Sequence, residues 1–290
     1  MKTILITGGA GSLGREVALA LARAGHRVRV LDLPQCDFTP LQGAASVEIT
    51  RGSIEDEDLL VQCVQEVDVV LHLAALLPPA SECVRQKTMA VNVEGTRALL
   101  KALQRGGRHA HLVFSSSVCV YGDTSQEDPP VRVSRPPRPL DFYGESKAVA
   151  EELVQRSGLP HTILRISGIA IPGLLSPPQV WPFQGGQRIE FIARGDVVQA
   201  LLACVKTSAP DQILNVAGGP TWQVAGEAYV ALWNEALGLA PEDTRFQGRP
   251  GTFDWYDTTA SQALLGYQCI TFERFGALLK EAIQQALGEG

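Results

Sequence analysis

The sequence predicts a doubly wound parallel α/β sheet followed by a smaller, mostly helical C-terminal part. Short apolar, β-branched runs alternate strictly with helical segments as far as residue 166. This is the pattern of a parallel sheet covered by helices on both faces. A glycine-rich turn joins the first strand to the first helix. The 290 residues are 45% hydrophobic, which is enough for a large buried core.

The predicted strands of this sheet lie at residues 3–7, 27–31, 47–50, 68–73, 111–114 and 161–166. The predicted helices between and after them lie at 12–24, 55–64, 84–104 and 141–156. A proline-rich surface loop at 123–140 precedes the last helix, and a late strand at about 212–217 is expected to rejoin the sheet. We therefore expect a first domain at 1–166 and a mixed segment at 167–290.

Charge and composition exclude several classes of protein. The net charge of −6 argues against a nucleic-acid partner, which would require a basic face. No apolar run approaches the length of a membrane span, and the apolar start is too short for a signal peptide, so we expect a cytoplasmic protein. The six cysteines are scattered, and His109 and His111 have no neighbours that complete a metal shell. No metal site is therefore expected.

The turn after the first strand carries Gly8, Gly11 and Gly14 at the spacing of a dinucleotide-binding loop. Glycines allow a tight turn and a close approach of the backbone to a pyrophosphate, and the helix N-terminus offers free N–H groups. Asp32 ends the second strand, where a carboxylate accepts hydrogen bonds from the adenosine ribose and repels a 2′-phosphate. The pattern predicts dinucleotide binding, with NAD favoured over NADP.

Tyr143 and Lys147 lie one helical turn apart in the last predicted helix of the first domain. They therefore share a face of that helix. An ammonium beside a phenol stabilises the phenolate, so Lys147 is expected to lower the pKa of Tyr143. The spacing alone is more typical of a solvated helix face with one packed tyrosine. The glycine loop and Asp32 favour the catalytic interpretation, because they are predicted to bind a cofactor with which a phenol of lowered pKa could act.

Together these motifs resemble the extended branch of the short-chain dehydrogenase/reductase superfamily, the NAD-dependent epimerase/dehydratase family, which has a Rossmann fold. The resemblance covers nearly the whole chain in the order of the family. The motifs that carry it are Thr7 to Gly14, Asp32, His72 to Ala75, Asn92 to Thr96, Phe114 to Ser117, Val120 to Gly122, Tyr143 with Lys147, Leu164 with Arg165, and Asp196.

The resemblance implies that Ser117, Tyr143 and Lys147 are catalytic. Tyr143 would exchange the hydroxyl proton, Ser117 would bond the same oxygen, and Lys147 would tune the phenol and hold the nicotinamide ribose. The implied NAD site consists of Gly8, Gly11, Ser12, Leu13, Gly14, Asp32, Ser53, Ile54, Leu73, Ala74, Ala75, Asn92, Ser115, Tyr143, Lys147 and Ile166. The substrate is expected to contact Leu76, Ser117, Ser167, Trp181 and Phe183. Relatives commonly dimerise through the two helices at 84–104 and 141–156, so a homodimer is expected.

The sequence departs from the family pattern at positions that bear on the substrate. Ser53 replaces an acid that bonds adenine in many relatives, which weakens that contact. The segment from Ser167 to Arg194 is short and broken by prolines, which predicts an NAD-dependent dehydrogenase of a small sugar, sugar acid, polyol or hydroxy acid. The alternative is a nucleotide-sugar epimerase that retains NAD, and a third reading is a non-catalytic NAD-binding regulator. Val118 and Cys119 follow the serines in place of an acid pair, which disfavours a dehydratase.

Overall fold

The computed structural model describes residues 1–106, 110–173, 177–207, 209–240 and 244–288. The strands are β1 (Thr3–Thr7), β2 (Arg27–Asp32), β3 (Val47–Arg51), β4 (Val69–His72), β5 (His111–Ser117), β6 (His161–Ile166), β7 (Gly168–Ala170), β8 (Arg188–Ile189), β9 (Phe191–Ala193), β10 (Gln212–Val216) and β11 (Val224–Ala225). The α-helices are α1 (Ser12–Arg23), α2 (Glu57–Cys63), α3 (Arg85–Met89), α4 (Gly95–Arg105), α5 (Phe142–Arg156), α6 (Arg194–Lys206), α7 (Gly226–Leu237), α8 (Thr259–Leu265) and α9 (Phe272–Gly288).

Seven strands form one parallel sheet in the order β10-β6-β5-β4-β1-β2-β3. The order reverses between β1 and β4, and ligands of open α/β sheets bind at the carboxyl edge beside such a switch point. The predicted late strand is β10, which pairs with β6 so that Val216 lies opposite Ile166. The predicted doubly wound sheet is therefore confirmed, including its last strand.

Two apolar layers cover the faces of this sheet. On one face α1 and α6 bury Val17 and Leu201 against the strands. On the other face α2, α4 and α5 bury side chains such as Leu60, Leu99 and Val154. Apolar side chains on both faces explain why the strands are continuous apolar runs without alternation.

The C-terminal part consists of α7, α9 and the strand pairs β7–β9 and β8–β11, and it has a separate core. Aromatic rings dominate that core, and Trp222 and Phe275 are fully buried in it. The rings of Phe191 and Tyr229 stack with their centroids 4.6 Å apart. Ring contacts of this kind add to the free energy gained by burying apolar area.

Two predicted elements differ from the structure. The fifth strand does not stop at Phe114, because Ser115 to Ser117 continue β5 and pair with residues of β6. The predicted helix at 84–104 extends over α3 and α4 but has a π-helical turn at Ala90–Glu94, a feature that is frequent at functional sites. His109 lies outside the described residues. Among the described helices, none is long and apolar enough to cross a membrane.

Candidate active site

The glycine turn after β1 permits close contact between three segments. Gly8 has a φ of +72°, and an added Cβ would lie 2.7 Å from the backbone nitrogen of Ala74. At Gly14 an added Cβ would lie 2.3 Å from the carbonyl oxygen of Gly8. At Gly11 the contact is looser, since the nearest atom would be that same oxygen at 3.3 Å. Two of the glycines are therefore required by packing, whereas Gly11 leaves its outer side open.

The N-terminus of α1 and Asp32 fit a dinucleotide. Gly11 is the N-cap residue, and within the described chain no side chain caps α1 and no acidic residue stands in its first turn. The Asp32 carboxylate accepts hydrogen bonds from the backbone nitrogens of Ala10, at 2.9 Å, and Leu33, at 2.8 Å. A carboxylate has about four acceptor positions, so it can also accept ribose hydroxyls. The open glycine and the uncapped helix end suit a pyrophosphate.

A buried polar chain holds the loop that faces this turn. The Thr7 hydroxyl lies 2.7 Å from Nδ1 of His72, and the other ring nitrogen lies 2.9 Å from the Thr96 hydroxyl. Burial lowers the pKa of His72 to about 3, with a further contribution from Lys147. The imidazole is therefore neutral. It ties the ends of β1 and β4 to α4, and Thr7 also accepts a bond from Ala74.

Asn92, in the π-helical turn, uses its side-chain amide for hydrogen bonds within the protein. Its Oδ1 accepts from the backbone nitrogen of Leu76 at 2.7 Å. Its Nδ2 donates to the Leu76 carbonyl at 3.1 Å and to the Ser146 hydroxyl at 2.9 Å. Both amide protons are used within the protein. Asn92 therefore holds Leu76 and α5 beside the site where it was expected to contribute.

The expected catalytic residues lie at the end of β5 and in the first half of α5. Ser117 is the last residue of β5, and its hydroxyl accepts from the Cys119 backbone nitrogen at 3.2 Å. Tyr143 stands in the first turn of α5, which begins at the predicted N-cap Asp141. The Asp141 carboxylate accepts from the backbone nitrogen of Gly144 at 2.6 Å, as a good N-cap does.

Lys147 is nearly inaccessible to solvent, with 2% of its surface exposed. Its Nζ donates to the Ser115 carbonyl at 2.7 Å and lies 4.9 Å from the centroid of the Phe114 ring. The same nitrogen lies 5.8 Å from the centroid of the Tyr143 ring. Burial lowers the pKa of Lys147 to about 8, and Glu151 opposes this shift.

The pKa of Tyr143 departs from the expectation. Burial raises it above its usual value, and the thiol of Cys119 and the carboxyl of Asp141 raise it further. The pKa therefore moves in the direction opposite to the one expected from Lys147. The spacing of four residues predicts a shared helix face, but it does not predict how much water the phenol loses, and desolvation favours the neutral form.

A buried ion pair fixes α5 on the sheet. Arg165 of β6 donates to the Glu151 carboxylate, with the shortest contact at 2.7 Å, and to the Tyr121 hydroxyl at 3.0 Å. The Ser116 hydroxyl donates to the same carboxylate at 2.5 Å. These contacts link α5 with β5 and β6. They hold the tyrosine helix over the strand that carries Ser117.

Ser53 and Ile54 occupy the turn after β3. The Ser53 hydroxyl accepts from the Glu55 backbone nitrogen at 3.1 Å and donates to its carboxylate at 3.3 Å. Ile54 is buried, and Gly95 of α4 leaves room for it, since an added Cβ there would lie 2.6 Å from Ile54 Cγ1. The hydroxyl of Ser53 is thus already engaged within its own turn.

Ser167 provides a free polar atom near the strand ends. It follows Ile166, which pairs with Ser117 across β5 and β6. The residue is 4% exposed, and among the described residues its hydroxyl has no hydrogen-bond partner. Buried hydroxyl groups are normally bonded, so this atom is suited to a polar group of a ligand.

Phe183 does not form a pocket wall as expected. It is fully buried in the C-terminal core, where its ring centroid lies 5.8 Å from those of Trp181 and Phe253. Trp181 lines a cavity of about 50 Å³ whose lining includes none of the expected catalytic residues. Aromatic residues in this segment therefore pack the core, and a sequence pattern cannot separate that role from substrate contact.

A larger cavity of about 430 Å³ lies between the C-terminal part and the loop after β5. Its lining residues are Ser125, Gln126, Gln184, Gly186, Gln187, Arg188, Pro250, Phe253 and Asp254. The loop at 249–257 links this cavity to the serine turn, because the Thr252 hydroxyl lies 3.9 Å from the Cys119 sulfur. Sequence reasoning missed Thr252, and no local signal marks it.

Three neighbouring side chains hold that loop in place. Gln187 bonds the backbone of Gly251 and Phe253, with its closest contact at 2.8 Å. Arg188 donates to Asp254 at 2.6 Å. Glu190 accepts from the backbone nitrogen of Tyr256 at 2.8 Å. The loop that reaches Cys119 is therefore positioned from the segment before β9.

Comparison with known proteins supports the expected family. The sequence model of the NAD dependent epimerase/dehydratase family matches residues 4–217. The UDP-glucose 4-epimerase of Streptomyces lividans is 35% identical over 167 residues, which make up 56% of this chain and 50% of that protein. The D-erythronate dehydrogenase of Cupriavidus necator is 33% identical over 184 residues, or 59% of this chain and 56% of that protein. The chain thus spans about half the length of these curated relatives.

The likeness extends over the whole fold in a solved structure. MoeE5, solved in complex with UDP-glucuronic acid and NAD, superimposes with a TM-score of 0.82 and 26% sequence identity. The superposition covers 98% of this chain and 99% of that one. The family model matches most of the chain, and the parallel sheet and the glycine turn agree with that match. The chain belongs to the NAD dependent epimerase/dehydratase family.

Proposed function

We propose that the protein is an NAD-dependent oxidoreductase that acts on a secondary alcohol, or its carbonyl, of a small sugar, sugar acid or polyol. The observation that carries the choice of substrate is the state of Arg188. It is the one cation among the described residues that line the 430 Å³ cavity, and it is bound to Asp254 at 2.6 and 3.0 Å. We infer that the substrate extends from the serine turn past Thr252 into this cavity, although none of the expected catalytic residues lines it. There, among the described lining residues, it would meet no free positive charge for the diphosphate of a nucleotide sugar.

In this proposal the chain's own residues handle the proton. Bound NAD supplies the acceptor for the hydride of the substrate carbon. The Tyr143 phenol takes the hydroxyl proton, and the Ser117 hydroxyl bonds the same oxygen and orients it. Lys147 holds a ribose hydroxyl with its ammonium. Because burial raises the pKa of Tyr143, oxidation is expected to become faster as the pH rises towards about 8, above which Lys147 loses the ammonium that holds the ribose.

The cofactor site in this proposal combines the open side of Gly11, the uncapped start of α1 and the Asp32 carboxylate. Ser167 offers the unbonded hydroxyl at the substrate end. We also propose the division at residue 166, a cytoplasmic location and a homodimer formed through α4 and α5. Sedimentation of the purified protein at several concentrations tests the dimer.

A nucleotide-sugar epimerase is the second candidate, and one observation favours it. MoeE5 was solved with UDP-glucuronic acid, and its chain is covered to 99% by this one. The shortness of the segment from Ser167 to Arg194 is therefore a weak argument against a nucleotide sugar. An epimerase would oxidise and re-reduce its substrate on retained NAD, which predicts a cofactor that copurifies with the protein.

Activity measurements separate the candidates. The purified protein is mixed with NAD⁺ and a panel of aldonic acids, polyols and free sugars, and NADH absorbance is followed. We expect turnover of at least one small substrate and a loss of about 10²- to 10⁴-fold in Tyr143→Phe, with NAD binding retained. Turnover of a UDP- or dTDP-sugar without net NADH would favour the epimerase. NAD binding without turnover of either class would favour a regulator.

A further inference from the structure

Glu82 holds the start of the helix that carries Tyr143. It ends a short 3₁₀ turn, Ala80–Glu82, in the loop that follows β4. One carboxylate oxygen accepts from the backbone nitrogen of Phe142 and the other from that of Tyr143, each at 3.0 Å. The Ser81 hydroxyl donates to the same carboxylate at 2.8 Å. The contact spans 60 residues of sequence, so it is a tertiary cap of α5.

Glu82 complements the cap made by Asp141. The first N–H groups of a helix have no partner within the helix. In α5 the N-cap Asp141 serves Gly144, and Glu82 serves the two residues before it. Two carboxylates therefore bond the first three N–H groups of the helix, and negative charge at this end also suits the helix dipole.

The backbone carbonyl of Tyr143 is also linked to the segment between β4 and α4. The Ser146 hydroxyl donates to the Tyr143 carbonyl at 2.7 Å, and Ser146 accepts from Asn92 at 2.9 Å. Nearby, Arg85 donates to Glu145 at 2.8 Å. The backbone N–H and C=O of Tyr143 are thus both bonded, directly or through Ser146, to the segment between β4 and α4.

We propose that Glu82 is a positioning residue for Tyr143. The inference rests on the proposed function only in that Tyr143 is the acid/base. Glu82 is exposed and touches no reacting atom; it acts on the backbone that places the phenol. A displacement of about 1 Å of a reacting group can lower a rate by about 10²-fold, so loss of the bond is expected to lower kcat more than it changes KM.

The test compares Glu82→Ala and Glu82→Gln with Asp141→Asn. Asp141→Asn removes a charge from the same helix end but keeps the cap, because Asn and Asp are similar N-caps. Removing that charge lowers the pKa of Tyr143, since Asp141 raises it. The expected result is a kcat lowered about tenfold or more in Glu82→Ala, with KM and the NAD dissociation constant near those of the native chain. Glu82→Gln should retain more activity, because its amide oxygen can still accept one bond.

Hydrogen exchange gives a readout that does not depend on turnover. The amides of Phe142 and Tyr143 should exchange at least about fivefold faster in Glu82→Ala than in the native chain, and not in Asp141→Asn. If these amides exchange faster in Glu82→Ala but the native protein turns over no substrate, the bond from Glu82 to the helix start is supported and the proposed function is contradicted. Unchanged exchange and unchanged kcat in an active enzyme would overturn the positioning role. An equal kcat loss in Glu82→Ala and Asp141→Asn, at unchanged exchange, would assign the effect to charge and overturn it as well.

Discussion

The seven-stranded sheet and the C-terminal part are held together by different kinds of contact. In the sheet, backbone bonds join strands such as β1 and β2 over five residues in register, and apolar layers cover both faces. In the C-terminal part the strands are two or three residues long. There, single polar side chains join distant segments, as Glu190 does by accepting bonds from Gly219, Gln223 and Tyr256.

This difference explains which parts of the structure can be predicted from the sequence. In the sheet the same local pattern, an apolar strand followed by a helix, is repeated many times, so a wrong assignment at one residue does not change the predicted fold. The C-terminal part depends on contacts such as Arg188 with Asp254, which are 66 residues apart and leave no local pattern. Changes in the sheet should therefore act through packing, and changes in the C-terminal part through individual hydrogen bonds.

The largest expected effect tests packing in the glycine turn. In Gly14→Ala the added Cβ would lie 2.3 Å from the Gly8 carbonyl oxygen and 2.6 Å from Gly9 Cα. Both neighbours are backbone, so we expect the free energy of unfolding to fall by about 3 kcal/mol or more. Urea unfolding followed by circular dichroism measures this change.

Gly11→Ala is the matched control for that substitution. Its added Cβ meets only the Gly8 oxygen, at 3.3 Å, so stability should change by less than about 1 kcal/mol. It should instead weaken NAD binding, because the methyl group fills the open side of the turn. Equal losses of stability at both positions would show that the two glycines do not differ in role.

In the candidate active site, too, the residues with local sequence signals can be predicted, whereas features that depend on distant residues cannot. Gly8, Gly14 and Asp32 are found from the sequence because their signals lie within one strand-turn-helix unit. The raised pKa of Tyr143 is not, since burial depends on residues far away in the chain. Glu82 is missed for a similar reason, as its partners lie 60 and 61 residues further on.

The next effect in size tests the single polar contacts of the C-terminal part. Glu190 is fully buried, and burial raises its pKa from 4.5 to about 7. The folded protein therefore binds this proton more tightly than the unfolded chain does. Its contribution to stability is complete below pH 4.5 and is lost as the pH rises to about 7. This loss should amount to about 3 kcal/mol.

Glu190→Gln should abolish that decline with pH, because the amide does not titrate. It should also lower stability by about 1–3 kcal/mol at low pH, since its NH₂ group faces an N–H donor. Urea unfolding at several pH values measures both effects. Glu235→Gln is the control, because its side chain is 69% exposed in a pair with Lys280, and such pairs contribute less than about 1 kcal/mol. A native slope in Glu190→Gln would contradict the assignment.

The smallest expected effect concerns Ser53, in the turn after β3 at the edge of the sheet. Ser53 stands where many relatives have an acid, and its hydroxyl is bonded to Glu55. Ser53→Asp supplies a carboxylate for the adenine amino group, so we expect NAD to bind about three- to tenfold more tightly, equivalent to about 1 kcal/mol. Calorimetric titration with NAD measures this. Glu55 places a second negative charge beside the new one, so Ser53→Asn serves as the uncharged comparison. If neither variant binds NAD more tightly, adenine does not lie against this turn, and the adenine end of the site depends on contacts that the sequence does not reveal.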